Sequence, residues 1–270
     1  MKESDTQFVG SVPRKYDAHL GPFLFEPFAD DFVKRTTFPK GCRVLELACG
    51  TGILTRRILE ALPSDGKLTA TDLNPPMIEQ AQSRVGPDPR LEWRVADAMS
   101  LPLPDASFDR VACQFGVMFF PDNPGAFREA LRVLRPGGEF AFNVWDSIPR
   151  NRYVQVTHER VASFFPGNPP TFFQVPFGYH DRDEIRSSLQ GAGFTAIRMA
   201  EVILESGSPS ALHAAVGLVE GSPLSAAVQE RGVTDPAPIV QAVAKDLAAQ
   251  FGDAPMRCTL SGLWVAGTKG

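Results

Sequence analysis

Between residues 41 and 145 the apolar positions follow two alternating rhythms. Short, nearly continuous apolar runs, which read as buried strands, lie at about 42–48, 67–72, 90–95, 108–115 and 138–145. Between them apolar residues recur three and four apart and predict helices over about 53–62, 75–84 and 123–134. Alternation of this kind is the pattern of a parallel sheet with helices on both faces. The last helix runs into Leu131-Arg132-Val133-Leu134-Arg135-Pro136-Gly137-Gly138, where basic residues, a proline and paired glycines stop it before the next strand.

Past Trp145 the rhythm changes. Residues 146–180 are loop-like, with Pro149, Pro166, Pro169, Pro170 and Pro176 around one predicted helix at 151–164. Asp181 is placed to cap a helix over 182–191, and Gly191-Ala192-Gly193-Phe194 turns into a strand at 195–205. Residues 208–253 read as helical pieces broken by Pro209, Pro223, Pro236 and Pro238, and a final strand covers 258–267. The two late strands flank the helical pieces and are expected to pair antiparallel at the sheet edge. No internal repeat or low-complexity tract occurs.

Composition narrows the class. The chain has 270 residues, 43% apolar and 21% charged, enough for one large core or one domain with an insertion. A net charge of −4 without any Lys/Arg run argues against a nucleic-acid or anionic-membrane binder. The start, Met1-Lys2-Glu3-Ser4-Asp5-Thr6-Gln7, has no apolar core of a secretory signal, and no stretch approaches the ~18 apolar residues of a membrane span. Cys42, Cys49, Cys113 and Cys258 form no CxxC, so small buried thiols are expected rather than zinc or disulfides. Cytoplasmic residence is the expectation.

The chemistry concentrates at Val44-Leu45-Glu46-Leu47-Ala48-Cys49-Gly50-Thr51-Gly52-Ile53-Leu54-Thr55. An apolar strand ends in an acid and a tight glycine turn, and a helix follows. A second strand, Lys67-Leu68-Thr69-Ala70-Thr71, ends in Asp72. This is the arrangement of a nucleoside-binding βαβ unit: glycines admit the ligand to the backbone, and an acid at the next strand tip grips a ribose diol. A dinucleotide fingerprint needs a third small residue, where this chain has Thr55. Glu46 would repel a pyrophosphate and suits a cationic ligand. That favours S-adenosylmethionine, which carries a sulfonium and an ammonium and no phosphate. Plainer readings stand beside these: Asp72 as a helix cap, Asp97 as a turn acid, and Asp105 and Asp109 as turn and strand-entry residues.

These motifs resemble the class I S-adenosylmethionine-dependent methyltransferases, in their small-molecule (type 11) branch. Glu46-Leu47-Ala48-Cys49-Gly50-Thr51-Gly52 is similar to their first motif, with Ala48 where many relatives carry Gly. Asp72-Leu73-Asn74-Pro75-Pro76-Met77 resembles the acidic loop after strand two, and Ala96-Asp97-Ala98 the adenine-binding position. Leu103-Pro104-Asp105-Ala106-Ser107-Phe108-Asp109 and Leu134-Arg135-Pro136-Gly137-Gly138 resemble the leads into strands four and five. The resemblance implies an α/β fold, a doubly wound seven-stranded mostly parallel sheet with an antiparallel edge strand and a helical lid. It implies that Glu46, Ala48, Gly50 and Gly52 form the cofactor turn and that Asp72 binds both ribose hydroxyls. Leu73 and Met77 would pack near the adenine, and Asp97 and Ala98 would hold its amino group. Gln114 and Phe115 would face the methionine moiety, and Tyr16 would reach its carboxylate or sulfonium. The implied organisation is an N-terminal lid segment at 1–40, a cofactor core at 41–145 and a lid loop and helix at 146–180. A core helix and strand follow at 181–207, then a helical lid insertion at 208–256 and a final edge strand at 257–270.

The family's nucleic-acid amino methyltransferases carry an Asn/Asp-Pro-Pro-aromatic motif after strand four, and this chain does not. Asn74-Pro75-Pro76-Met77 follows strand two and reads as a helix start, with Asp72 or Asn74 capping and proline in the first turn. Phe115, Phe119, Phe120, Phe164, Phe165, Phe172, Phe173 and Phe177 fall near the crevice loops, either as a small core or as an apolar acceptor wall. Of His19, His158, His180 and His213, the first and second border the acceptor side. The expected activity is methyl transfer to a small apolar or aromatic acceptor, at O, N or C, without a metal. No catalytic base is assigned. A nicotinamide-dependent oxidoreductase and a non-catalytic cofactor-binding protein are the alternatives. Expected partners are a small molecule and neither nucleic acid nor a membrane span, with a homodimer left open.

Overall fold

Two neighbouring strands, β1 (Arg43–Glu46) and β2 (Lys67–Asp72), expose their first residue and bury the rest. Strands buried on both faces are the centre of a parallel sheet covered by helices. The computed structural model, which describes residues 12–270, shows that sheet. After α1 (Val12–Lys15), a π-helix (Tyr16–Phe25) and α2 (Glu26–Arg35) come β1, α3 (Ile53–Ala61), β2, α4 (Pro75–Val85), β3 (Leu91–Val95), β4 (Phe108–Gln114), α5 (Asn123–Val133) and β5 (Leu134–Trp145). Then follow α6 (Arg152–Ser163), α7 (Arg182–Ala192), β6 (Phe194–Ser208), α8 (Ala211–Glu220), α9 (Leu224–Gln229), α10 (Ala237–Phe251) and β7 (Met256–Lys269).

Seven strands lie in the order β3-β2-β1-β4-β5-β7-β6. The first five are parallel, and β7 is antiparallel to β5. Thr195 Oγ1 donates to Thr268 O and Thr259 Oγ1 to Glu205, so β6 and β7 also run in opposite directions. The two late strands thus pair antiparallel at the sheet edge, as their sequence predicts. The final strand is the inner member of that pair, and β6 forms the edge. Between β1 and β4 the strand order reverses, which opens a crevice at the carboxyl ends where such sheets bind ligands.

Two elements depart from expectation for identifiable reasons, and a third has no counterpart in the sequence pattern. β5 begins at Leu134 rather than near 138, with Pro136 and Gly137 (φ 76°) in an irregular stretch between the Phe108↔Leu134 and Arg110↔Glu139 pairs. Proline has no N–H for the ladder, so the strand bulges there instead of starting later. Pro238 does not break α10; it sits in the first turn, where its missing N–H costs nothing. Residues 16–25 wind as a π-helix that contains Pro22 and closes with Glu26 N–H on Gly21 O.

The chain divides into two compact units. Of the described residues, one comprises 12–27, Asp146–Gly178 and Ile203–Ser261. Within it α8 packs on the π-helix through Gly217, where a Cβ would lie 2.6 Å from Leu20 Cδ2. Tyr153 is fully buried with Phe23 edge-on at 5.4 Å. Asn151 ties its own loop to β7: it donates to Asp146 O at 3.1 Å and Ser261 O at 2.9 Å and accepts from Ser261 N at 2.9 Å.

The other unit comprises Phe28–Trp145, Tyr179–Val202 and Gly262–Gly270. On one sheet face Phe127 of α5 meets Phe140 and Phe142 at 5.6 and 5.5 Å. On the other, Phe28 of α2 meets Trp145 at 5.2 Å. Arg132 pins the loop before β4. It bonds Leu101 O at 2.9 Å, Leu103 O at 2.8 Å, Asp105 at 2.6 Å and both oxygens of Glu129 at 2.8 and 2.9 Å. Asp105 is therefore a turn residue, as its sequence context suggests. Arg132→Ala is expected to lower the unfolding free energy by about 2–3 kcal/mol, read from urea denaturation, because two carbonyls and two carboxylates lose a charged donor.

Among the described residues no helix is long and apolar enough to cross a membrane, and no group of three or more His, Cys, Asp or Glu is placed to hold a metal.

Candidate functional site

The turn after β1 is built from left-handed backbone. Ala48, Gly50 and Gly52 have φ of 50°, 55° and 80°. The first of these explains why glycine suits position 48, since an L side chain there carries a steric cost. Cys49 N donates to Thr71 O at 2.9 Å and Gly52 N to Cys49 O at 3.0 Å, which folds the turn back over β2. At Gly52 a Cβ would lie 2.9 Å from Val85 Cγ2 and 3.1 Å from Ala81 Cβ, whereas at Gly50 nothing lies within 4 Å. Gly52→Ala is therefore expected to cost about 2–4 kcal/mol and Gly50→Ala only about 1–2 kcal/mol in urea denaturation.

Asp72, at the end of β2, links this turn to the next. Its Oδ2 accepts from Gly50 N at 2.9 Å and its Oδ1 from Asn74 N at 2.8 Å. It is 6% exposed. Burial raises its carboxyl above the usual range, against the lowering effect of the Asn74 and Gly50 bonds. The expectation that Asp72 or Asn74 caps α4 is corrected. Asn74 holds the N-cap position without a side-chain cap bond, and Asp72 points at Gly50 and Asn74 instead. Pro75 and Pro76 have no N–H to cap, and Met77 N is taken by Asn74 O at 3.0 Å.

Glu46 is 1% exposed. Its Oε2 accepts from Thr55 Oγ1 at 2.6 Å, and its backbone oxygen accepts from Thr71 Oγ1 at 2.8 Å. Burial pushes its carboxyl up to about 8; the Thr55 bond opposes this and the charge of Asp72 adds to it. Thr55 stands out in the sequence only as a departure from the dinucleotide pattern, and its role as the partner of Glu46 comes from the structure. Burial also pushes the Cys113 thiol up to about 12.

At the carboxyl end of β4 the chain turns sharply, with Phe115 at φ 53°. Phe115 N donates to Asn143 O at 3.1 Å. The ring leaves the strand alternation and stacks on Trp145 at 3.9 Å and 8°, with Phe28 edge-on to it at 5.0 Å. Gly116 lets this turn meet the first one, since a Cβ there would lie 2.6 Å from both Ala48 Cβ and Cys113 Sγ. Gln114, half-buried, ends β4 beside them. Phe28 and Gly116 lie in segments that the sequence places near the crevice, but neither they nor Trp145 are assigned a role by it. The signals available were the aromatic-rich segment before β1 and the position of Trp145 at a strand end.

The structure thus gathers Glu46, Ala48, Gly50, Gly52, Asp72, Gln114 and Phe115 at the carboxyl ends of β1, β2 and β4. Leu73, 57% exposed, and Met77, buried, follow Asp72. Ala98 is buried on the loop after β3, and that loop is tied to β2 by Ala96 N on Asp72 O at 3.0 Å. Asp97 is exposed and accepts from Met99 N at 2.8 Å, the turn bond of its plainer reading. Tyr16, on the π-helix, belongs to the first unit and stacks on Phe25 at 4.8 Å. So do His19, 4.1 Å from His213, and His158, edge-on to Phe173 at 6.3 Å. Phe172, Phe173 and Phe177 are buried and cluster with one another.

Residues 44–138 match the model of the methyltransferase domain family. An uncharacterised protein of Mycobacterium tuberculosis is 30% identical over 190 residues, 70% of this chain and 63% of that protein. A demethylmenaquinone methyltransferase of Staphylococcus aureus is 27% identical over 229 residues, 78% of this chain and 92% of that enzyme. The chain spans 56% to 63% of the length of several other curated relatives that it matches. The phosphoethanolamine N-methyltransferase 2 of Haemonchus contortus, solved with S-adenosyl-L-methionine, has a similar fold. Its TM-score is 0.62 at 17% identity, over 98% of this chain and 58% of that one. The glycine turn, the acid after β2 and the lead into β5 all fall inside residues 44–138, the span that matches the methyltransferase domain family, and they sit on a Rossmann-like sheet.

Proposed function

We propose that the protein transfers a methyl group from S-adenosyl-L-methionine to a small organic acceptor. The observation that carries this reading is the pair of buried carboxylates at adjacent strand ends, Glu46 and Asp72, bridged by the glycine turn. An acid at the first strand end suits a cationic nucleoside without phosphate and opposes a pyrophosphate, which argues against a nicotinamide cofactor. Asp72 uses three bonds, to Gly50 N and to the two nitrogens of Asn74, and keeps lone-pair capacity for a ribose diol. Leu73 and Met77 suit an adenine face, Asp97 and Ala98 its amino edge, and Gln114 and Phe115 the methionine side. Tyr16→Phe tests the remaining residue of the set through cofactor affinity.

When bound, S-adenosylmethionine supplies a methyl carbon activated by its sulfonium. The protein's task is orientation, and holding two reactants in line can be worth ~7–11 kcal/mol. The Phe115–Trp145–Phe28 cluster excludes water from its side of the crevice, which favours the loss of positive charge at sulfur. An apolar aromatic acceptor is the finer part of the proposal. It draws on that cluster and on the demethylmenaquinone methyltransferases among the relatives. The test is calorimetry with S-adenosylhomocysteine and NAD(H), followed by turnover on a panel of phenols, quinols and amines. Binding of NAD(H) alone would sink the reading; cofactor binding without turnover on any acceptor would favour a non-catalytic binding protein.

A further inference from the structure

A polar cavity lies at the amino ends of the strands, the opposite end of β1 and β2 from Glu46 and Asp72. Its volume is about 170 Å3, and its walls include Arg43, Lys67, Thr69, Arg90, Glu92 and Phe108. Arg43 and Lys67 are both exposed, and they face each other as Cα partners at the first positions of adjacent strands. That register holds two like charges on backbones about 4.8 Å apart. Neither has a carboxylate ion pair among the described residues. The Arg43 guanidinium lies over the Phe108 ring at 5.9 Å, and Lys67 Nζ donates to Pro89 O at 3.1 Å.

The neighbouring acids are already engaged. Asp88, within electrostatic reach of Lys67, is held by Arg90 at 2.8 and 3.1 Å. Glu92 is bound by Arg94 at 2.8 Å. Asp109 takes the Arg43 amide and the Arg135 guanidinium, both at 2.8 Å. Arg90 is further fixed by Leu62 O, at the end of α3, at 3.0 Å. On a chain of net charge −4, two uncompensated cations therefore converge on one polar cavity.

We propose that this cavity binds a small phosphate-bearing anion between Arg43 and Lys67. The Arg43 fork matches two phosphate oxygens, and Lys67 adds a point charge on the third. The space suits a phosphate or pyrophosphate group rather than a whole nucleoside, whose pockets are larger. The anion relieves the repulsion that the strand register imposes. The site stands apart from the cofactor turn, so its failure leaves the methyltransferase reading untouched.

The experiment is thermal unfolding of the full chain with inorganic pyrophosphate, inorganic phosphate or glycerol 3-phosphate, at ionic strength held constant with NaCl. The expected result is a rise in Tm of about 5 °C at ~100-fold excess over Kd for at least one of them. Arg43→Gln/Lys67→Gln is expected to lose that rise and to keep its affinity for S-adenosylhomocysteine. A preference for glycerol 3-phosphate identifies a phosphorylated metabolite, and a preference for the inorganic ions identifies free phosphate. Should the double variant fold poorly, each single variant is expected to bind at least about tenfold more weakly in calorimetry. No Tm response in the wild type, or an equal response in the variants, overturns the proposal.

Discussion

Asp72→Ala is expected to weaken S-adenosylhomocysteine binding by roughly 10²–10⁴-fold in calorimetry, the largest effect foreseen for any single substitution in the cofactor turn. A ribose diol gives two hydrogen bonds to a carboxylate, each worth about 1.5–3 kcal/mol when the acceptor is charged. The substitution also frees Gly50 N and Asn74 N, which Asp72 holds at 2.9 and 2.8 Å. Asp72→Asn separates the two effects. It keeps an acceptor for one amide and turns a donor on the other, so its Tm should fall less than that of Asp72→Ala while affinity still falls by tens of fold. Micromolar binding retained in Asp72→Ala would remove Asp72 from the cofactor site.

The second large effect is a pH dependence that runs through Glu46. Its carboxyl rises from an ordinary 4.5 to about 8 in the folded protein, chiefly because it is buried. Between those values the folded chain holds a proton that the unfolded chain has lost. Stability from this group is therefore complete below about 4.5 and is lost as pH climbs through about 8. Integrated over the window, the loss is on the order of 4–5 kcal/mol. Glu46→Gln should be the more stable form at pH 9 and lose most of this slope, as urea denaturation at pH 5 and 9 will show. Thr55→Val removes a bond that favours the ionised form, so it should extend the loss of stability to higher pH.

The same proton bears on ligand choice. A cation beside Glu46 favours the carboxylate, so binding releases the proton. The affinity for S-adenosylmethionine should rise by up to about tenfold per pH unit as pH increases toward 8, and more steeply than for S-adenosylhomocysteine, which lacks the sulfonium. Glu46→Gln should flatten both profiles. A pH-independent preference between the two ligands would place Glu46 away from the sulfonium.

Much of the fold is legible in the chain because it follows from local spacing. Ile53, Leu54, Ile58 and Leu59 recur on one face and give α3, and the unbroken apolar runs give β1 and β2. Gly50 and Gly52 mark the turn because few other residues adopt φ of 55° and 80° at low cost. The π-helix was illegible, since nothing in the spacing of Tyr16–Phe25 separates it from an ordinary α-helix or a loop. Pro136-Gly137-Gly138 at the start of β5 serves equally as the end of a helix or as a bulge, and only the partner strand decides.

The sequence by itself determined the strand–helix alternation, the left-handed turn and the acid at the tip of β2, all properties of a few consecutive residues. Tertiary structure decided the placement of β7 between β5 and β6, the Thr55–Glu46 bond, the stacking of Phe115 on Trp145 and the facing charges of Arg43 and Lys67. All but the Thr55–Glu46 bond, which closes across a single turn, join residues far apart in the chain, so they depend on strand register and on burial, and neither exists until segments with no local bias toward one another have packed.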